Sequence, residues 1–173
     1  MTEEQLVALI RNIPDFPVPG IQFKDITPLL RDKEAFRYTI KTLAARYAQR
    51  PIDVIVGIES RGFIFGAPLA YELGIGFVPV RKPGKLPADT YLAEYALEYG
   101  VNKLEIHRDA FDAGMRTLVI DDLLATGGTI SATCGLVEQA GGIVEEVAFL
   151  VELTFLNGRA GLQQYPVFSL IQF

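Results

Sequence analysis

The stretch Val119-Ile-Asp-Asp-Leu-Leu-Ala-Thr-Gly-Gly-Thr129 joins a run of apolar residues to two carboxylates and a small-residue turn. Leu118, Val119 and Ile120 read as a fully buried strand, and the periodic segment after Thr129 reads as a helix. A turn between a strand end and a helix N-terminus is where open α/β sheets bind their ligands. Ala125, Thr126, Gly127, Gly128 and Thr129 can aim backbone N–H groups inward with no bulky side chain in the way, and the helix dipole adds partial positive charge. The turn is therefore expected to hold a phosphate, with the Thr126 and Thr129 hydroxyls as further donors.

Asp121 and Asp122 refine that expectation. Carboxylates beside a phosphate nest repel an isolated phosphate, but they suit the hydroxyls of an attached sugar, so the implied ligand is a ribose 5-phosphate. The competing reading is structural: Asp followed by Thr-Gly-Gly-Thr can simply cap a helix after a tight loop. The spacing lacks the Gly-Lys-Ser/Thr ending of a nucleoside-triphosphate loop, and its glycines do not follow the strand directly as a dinucleotide fingerprint requires.

Working outward, 173 residues suit one domain, 1–173, and a 50% hydrophobic content allows a real core. No apolar run approaches membrane-spanning length, and the N-terminus lacks the basic-then-apolar pattern of a signal peptide, so a soluble cytoplasmic chain with no membrane partner is expected. A net charge of -5 argues against nonspecific nucleic-acid binding; any polyanion must meet a local cationic cluster. Cys134 is the only cysteine, which excludes an internal disulfide or a multi-cysteine zinc site. It shares an apolar face with Ile130 and Val137 and reads as a buried structural thiol rather than a nucleophile.

From the N-terminus, Thr2-Glu-Glu-Gln5 is a capping-box pattern followed by Leu6, Leu9, Ile10 and Ile13 at helical spacing. Pro14, Pro17, Pro19 and Gly20 then force an extended or turning segment up to Pro28, whose role patterning does not disclose. Asp32 can cap a helix carrying Phe36, Ile40, Leu43 and Tyr47 on one face, closed by Pro51. Ile52 to Ile58 is a buried strand, Phe63 to Leu73 a helix, and Gly76 to Val80 the next strand. After the central stretch come Ile143 to Leu153, a turn near Asn157-Gly158 and a last strand around Val167 to Ile171. Strands alternating with helices predict an α/β domain with a mainly parallel central sheet and helices on both faces.

The long connection from about 84 to 105 reads as a lid. Tyr91, Ala93, Tyr95, Leu97 and Tyr99 alternate along it, and Tyr99-Gly100-Val101-Asn102 reads as a reversal before Lys103 to His107, giving a hairpin that can fold over a ligand. Core packing of the tyrosine stripe is the alternative. His107 reads as a capping or packing residue in preference to a catalytic one.

A sugar phosphate whose anomeric carbon carries diphosphate needs a cationic receptor for that leaving group. Arg61, Arg81, Lys82 and Lys85 all follow predicted strand carboxyl ends, on the same rim as the phosphate turn. A solvated basic rim is the bland alternative. Mg2+ is expected to arrive with the diphosphate, since the sequence offers no self-contained cage for it.

Five segments resemble adenine-specific members of the type I phosphoribosyltransferase family: Asp15-Phe-Pro-Val-Pro-Gly-Ile-Gln-Phe-Lys-Asp-Ile-Thr-Pro28, Gly57-Ile-Glu-Ser-Arg-Gly-Phe63, Arg81-Lys-Pro-Gly-Lys-Leu-Pro87, Leu97-Glu-Tyr-Gly100 and the central stretch, which is similar to the family's phosphoribosyl-diphosphate (PRPP) motif. The resemblance implies transfer of ribose 5-phosphate from PRPP to adenine, giving AMP and diphosphate, with Mg2+ and a homodimer. It adds to the parallel sheet a small N-terminal hood, mainly residues 1–30 with C-terminal contributions, and makes the hairpin a flexible lid. In that hood Phe23 would stack on adenine while backbone groups around Gln22 and Lys24 read its edge; Lys24 stands where the family pattern has arginine. Glu98 would exchange a proton at the imidazole side of adenine, Tyr99 would help close the lid, and Ser60 with Arg61 would bind diphosphate. Arg81 would reach a neighbouring subunit's site, and the peptide between Glu59 and Ser60 would be cis. Two rivals stand beside this reading: a transferase for another purine base, and a non-catalytic PRPP-binding regulator, for which no nucleic-acid-binding element is visible.

Overall fold

The structure is a computed structural model that describes residues 1–97 and 100–173. Helix α1 (Glu3–Val7) is started by the expected capping box, with Thr2 and Gln5 exchanging side-chain to backbone hydrogen bonds. It ends sooner than the spacing of Leu6, Leu9, Ile10 and Ile13 suggests. Ile13 instead belongs to β1 (Arg11–Pro14), which pairs antiparallel with β2 (Gln22–Asp25) and sets Ile13 opposite Phe23. Pairing with β2, the next strand of the chain, captures the segment before the helix extends further. The reversal between these strands uses Asp15 and Gly20 at positive φ, 56° and 89°, with Asp15 Oδ1 accepting from Gly20 N at 2.7 Å. Thus the proline-rich segment is a small hairpin projecting from the N-terminal end of the chain.

After α2 (Thr27–Arg31), Asp32 caps α3 (Lys33–Tyr47), its Oδ1 accepting from Glu34 N at 3.0 Å and Ala35 N at 2.9 Å. Strand β3 (Val54–Ile58) is buried throughout, as its unbroken apolar run predicts. Helix α4 (Arg61–Leu73) begins two residues before the expected Phe63, so Arg61 and Gly62 form its first turn. Strand β4 (Gly76–Val80) follows, then the hairpin β5 (Thr90–Leu97) and β6 (Gly100–His107), β7 (Arg116–Leu124), α5 (Gly128–Gln139), β8 (Ile143–Glu152) and β9 (Val167–Gln172). Two short 3-10 turns, Thr154–Leu156 and Gly158–Leu162, link the last two strands.

The five long-range strands form one parallel sheet in the order β4-β3-β7-β8-β9. Their side chains divide between the two faces. Ile55, Leu118, Ile120, Ala148 and Leu150 point to one face, where they pack with Leu43 and Tyr47 of α3 and Phe65 and Leu69 of α4. Val56, Ile58, Val119, Val147 and Phe149 point to the other, against Ile130, Cys134 and Val137 of α5. Each such large side chain, taken fully out of water, contributes about 1.5–3 kcal/mol. The predicted parallel sheet with helices on both faces is therefore what the chain forms. Gly57 of β3 and Gly66 of α4 admit the ring of Phe77 between strand and helix: a β-carbon at either position would lie 2.6 or 2.8 Å from it.

Two sequence expectations need correction. Strand β7 runs past the expected Leu118 to Ile120 as far as Leu124, so Asp121 and Asp122 lie within its carboxyl end. Continued pairing with β8, Asp121 with Phe149 and Leu124 with Glu152, holds them extended. In the hairpin, Gly100, Val101 and Asn102 are paired strand, with Asn102 opposite Tyr95 and Gly100 opposite Leu97, and so take no part in the reversal expected from Tyr99 to Asn102; Tyr99 itself lies outside the described residues. Tyr91, Ala93 and Tyr95 pack against the α5 side of the core, so this part of the stripe is a packed face of the hairpin. His107 Nε2 accepts from Ala88 N at 3.3 Å, a packing role at the hairpin's base.

Candidate active site

Strand order places the site. From β3 the sheet grows outward to β4 on one side and through β7 to β8 and β9 on the other, so the gap between the carboxyl ends of β3 and β7 is the topological switch point. Glu59-Ser60-Arg61 leaves β3 there, and β7 ends beside it with Asp121 to Leu124 before the turn Ala125 to Thr129. A cavity of about 620 Å3 opens at this point, lined by Ser60, Arg61, Lys82, Asp121, Asp122 and Thr129, and roofed by Tyr95, Asn102 and Lys103 of the hairpin. A smaller recess of about 190 Å3 continues into the turn Ala125 to Thr129.

Glycines allow the two loops to meet. At Gly62 a β-carbon would lie 2.8 Å from the Ile120 carbonyl oxygen and 3.1 Å from Asp121 Oδ1, so the first turn of α4 can rest directly on the end of β7. That brings Arg61 Nε to 2.7 Å from Asp122 Oδ2. Gly127 has φ 87°, a left-handed conformation that turns the chain into α5, which starts at Gly128. The peptide bond from Glu59 to Ser60 is cis, as the family resemblance implies, and so is that from Phe16 to Pro17.

The electrostatics follow from burial. Burial pushes the Asp121 carboxyl well above the usual range, and the neighbouring Asp122 charge adds to it, while the Asp122 N–H bond to Asp121 Oδ1 at 2.9 Å works the other way. Burial also raises Asp122, which is 4% exposed, against the pull of the Arg61 guanidinium. On the adjacent rim Glu59 gathers Arg81, whose Nε and Nη2 lie 3.2 and 3.3 Å from its oxygens, and the Lys82 backbone N–H at 3.1 Å. Arg81 Nη1 also donates to the Lys85 carbonyl at 3.2 Å. Cys134 is buried in the α5 face and its thiol is pushed up to about 12, which suits a structural residue.

The residues predicted for ligand binding fall into three groups. Ser60, Arg61, Lys82, Asp121, Asp122 and the turn Ala125, Thr126, Gly127, Gly128 and Thr129 meet at the switch point. Arg81 and Lys85 stand on the rim just outside the lining residues, Arg81 paired with Glu59 of its own chain. Gln22, Phe23 and Lys24 lie on the N-terminal hairpin: Phe23 is stacked 5.5 Å below the Arg61 guanidinium, Gln22 Oε1 accepts from Asn12 Nδ2 at 2.6 Å, and Lys24 Nζ sits 4.0 Å over the Phe173 ring. Glu98 and Tyr99 lie outside the described residues.

Sequence reasoning placed Glu59 with Ser60 in the diphosphate loop by the family resemblance, but it gave Tyr95, Asn102 and Lys103 no individual site role. Tyr95 is tied to the phosphate turn by a hydrogen bond from Thr129 Oγ1 at 3.1 Å, a contact that only the hairpin register discloses. Among the described residues no group of three or more His, Cys, Asp or Glu is placed to hold a metal. Two adjacent carboxylates on the cavity lining nonetheless suit Mg2+, which keeps most of its waters and binds through one or two carboxylates together with substrate phosphates.

A turn of small residues, a carboxylate pair and a cationic rim meet at the switch point of this parallel sheet, and the family of the phosphoribosyl transferase domain matches residues 29–160. Across its whole length the chain is 68% identical to the adenine phosphoribosyltransferase of Chloroflexus aurantiacus, covering 100% of both. The crystal structure of the Thermoanaerobacter pseudethanolicus adenine phosphoribosyltransferase superposes with a TM-score of 0.97 at 59% identity, covering 99% of this chain and 100% of that one. The Saccharomyces cerevisiae enzyme, solved in complex with an imino-altritol bisphosphate and adenine, matches at TM-score 0.91 and 43% identity over 97% of each chain. The chain belongs to the adenine phosphoribosyltransferases.

Proposed function

We propose that the chain transfers ribose 5-phosphate from PRPP to adenine, forming AMP and diphosphate, a purine-salvage reaction. The observation that carries this reading is the convergence of the Ala125 to Thr129 cradle, Asp121 and Asp122, and Arg61 on one cavity at the switch point. The turn holds the 5-phosphate, and the carboxylates hold the ribose hydroxyls and face the positive charge that develops on the sugar. Ser60, Arg61, Lys82 and Lys85, with Arg81 from the rim or from a neighbouring subunit, receive the diphosphate. Asp121 and Asp122 would hold the Mg2+ that arrives with PRPP, which would supply neutralising charge to the diphosphate.

Adenine stacks on Phe23 of the hood, with backbone groups of Gln22 and Lys24 reading its edge; the Lys24 ammonium, directed at Phe173, takes no part. N9 forms its bond to the anomeric carbon as the bond to the diphosphate oxygen breaks and diphosphate leaves with the electron pair. The proton at N7 passes to Glu98, which the lid carries into place while Tyr99 helps close it. The working unit is a single domain, 1–173, with the hood mainly from 1–30 and the lid from about 84–105. It works in the cytoplasm as a homodimer, in keeping with the family resemblance; among the described residues no helix is long and apolar enough to cross a membrane.

The test is AMP formation from adenine and PRPP with Mg2+, run beside guanine, hypoxanthine and xanthine. AMP formation with adenine alone is expected. Turnover of another base would assign the rival transferase activity, and PRPP binding without turnover of any base would leave a regulator.

A further inference from the structure

The phosphate cradle has a back wall. A β-carbon on Gly158 would run into the Ala125 carbonyl oxygen and lie 2.8 Å from Leu124 Cδ1; one on Gly127 would run into the Gly158 carbonyl oxygen. The Gly158–Leu162 turn and the cradle therefore touch backbone to backbone, with no side chain between them. Asn157, at φ 51°, delivers the chain to this contact, and Leu162, 1% exposed, anchors the turn's far end in the core.

Arg159, the next residue, fixes the turn from outside. Its Nε lies 2.7 Å from Glu152 Oε1 and its Nη2 2.6 Å from Oε2, a two-pronged pairing, and Nη1 donates to the Val167 carbonyl at 3.2 Å. Glu152 is 4% exposed and ends β8, opposite Leu124 of β7 and Gln172 of β9, and Gln172 Nε2 donates to its Oε2 at 3.2 Å. Arg159 beside this carboxylate holds it below its usual range. Neither Glu152 nor Arg159 lines the cavity or the recess of the cradle.

We propose that the Glu152 and Arg159 pair is a positioning device for the 5-phosphate subsite: it presses the Gly158 turn against Ala125 and Gly127, so that the cradle's N–H groups hold their inward arrangement before substrate arrives. This rests on the assignment of residues 125–129 to the 5-phosphate of PRPP. The consequence is selective. Loosening the clamp costs affinity for molecules that carry the 5-phosphate and spares adenine, whose site lies with the hood.

The experiment compares wild type with Glu152→Gln, Arg159→Met, their double variant and Arg159→Lys. It measures the KM for PRPP, the KM for adenine, and the dissociation constant of ribose 5-phosphate by calorimetry. The PRPP KM and the ribose 5-phosphate constant should both rise about tenfold, while the adenine KM stays put. The double variant should be no worse than the weaker single one, because both remove the same link. Arg159→Lys, which keeps the charge but loses the planar fork, should fall between. Gly158→Ala leaves the ion pair intact but drives the turn into the cradle, and it should show the same selective loss even where a clamp variant does not fold. Parallel rises in both KM values, additive losses, or unchanged ribose 5-phosphate binding would overturn the proposal. Because that binding needs no turnover, it decides the matter even if wild type makes no AMP, an outcome that would count against the function alone.

Discussion

Arg61 Nε and Asp122 Oδ2 lie 2.7 Å apart, joining the first turn of α4 to the last residues of β7 across the switch point. The carboxylate side chain is 5% exposed and the guanidinium side chain 43%, so the pair presents its cationic partner to the cavity. In the proposed reaction an incoming diphosphate would draw on the same guanidinium. Arg61→Lys keeps the charge without the planar fork, and the KM for PRPP should rise on the order of tenfold with little change for adenine. Steady-state kinetics with either substrate varied would check this; an unaltered PRPP KM would remove Arg61 from the diphosphate contacts.

Asp121 should trade stability for activity. Its folded carboxyl titrates above its unfolded value, so the charge opposes folding increasingly as pH rises above about 4. At pH 4 the folded group is already neutral. Asp121→Asn should therefore melt higher than wild type at pH 7–8 and match it near pH 4, while turnover drops and adenine affinity holds. Changing Asp122 to Asn as well should deepen the loss of turnover. Thermal melts at the two pH values and one activity assay test both halves; near-wild-type turnover in the double variant would reduce the carboxylates to loop caps.

Glu98→Gln preserves shape and removes the charge proposed to accept the adenine proton. Positioned acid/base groups contribute about a hundred- to ten-thousandfold, so single-turnover rates on adenine should fall by that order while PRPP affinity barely moves. An unchanged rate would leave Glu98 as an ordinary hairpin residue.

At the opposite end of the sheet, Asp53 accepts from the Arg116 backbone N–H at 2.8 Å and from its guanidinium at 3.0 Å on each oxygen. The Arg116 side chain, with its backbone N–H, holds the Asp53 carboxyl down at about 2. A depressed folded value means stabilisation that is present above the unfolded value near 4 and lost as pH falls toward 2. Asp53→Asn should lower the melting temperature at pH 7, and the difference from wild type should vanish by pH 2. A difference that persists at pH 2 would mean the pair acts through packing and not through charge.

The core of the fold was legible because its signals are local. Unbroken apolar runs at Val54 to Ile58 and Leu118 to Ile120 can only be buried on two faces, and Asp32 announces α3 by itself. The turn from Ala125 to Thr129 was legible for the same reason: small residues between a strand and a helix leave backbone N–H groups available whatever surrounds them. Likewise, Cys134 needed only its place on an apolar helical face.

What the tertiary structure decided are relations between segments far apart in the chain. Ile13 left the helical pattern of α1 because β2 pairs with it, and Asp121 and Asp122 stayed in β7 because β8 continues alongside. The hairpin's true register, which brings Tyr95 to Thr129, depends on pairings that alternating tyrosines leave open by a residue or two. Glu152 and Arg159 are only seven residues apart, yet nothing in that spacing shows that Gly158 between them meets Ala125. Periodicity records which face of an element is apolar; it carries no information about which other element will cover that face, because burial is non-directional and the choice among partners is made by packing and by distant backbone hydrogen bonds.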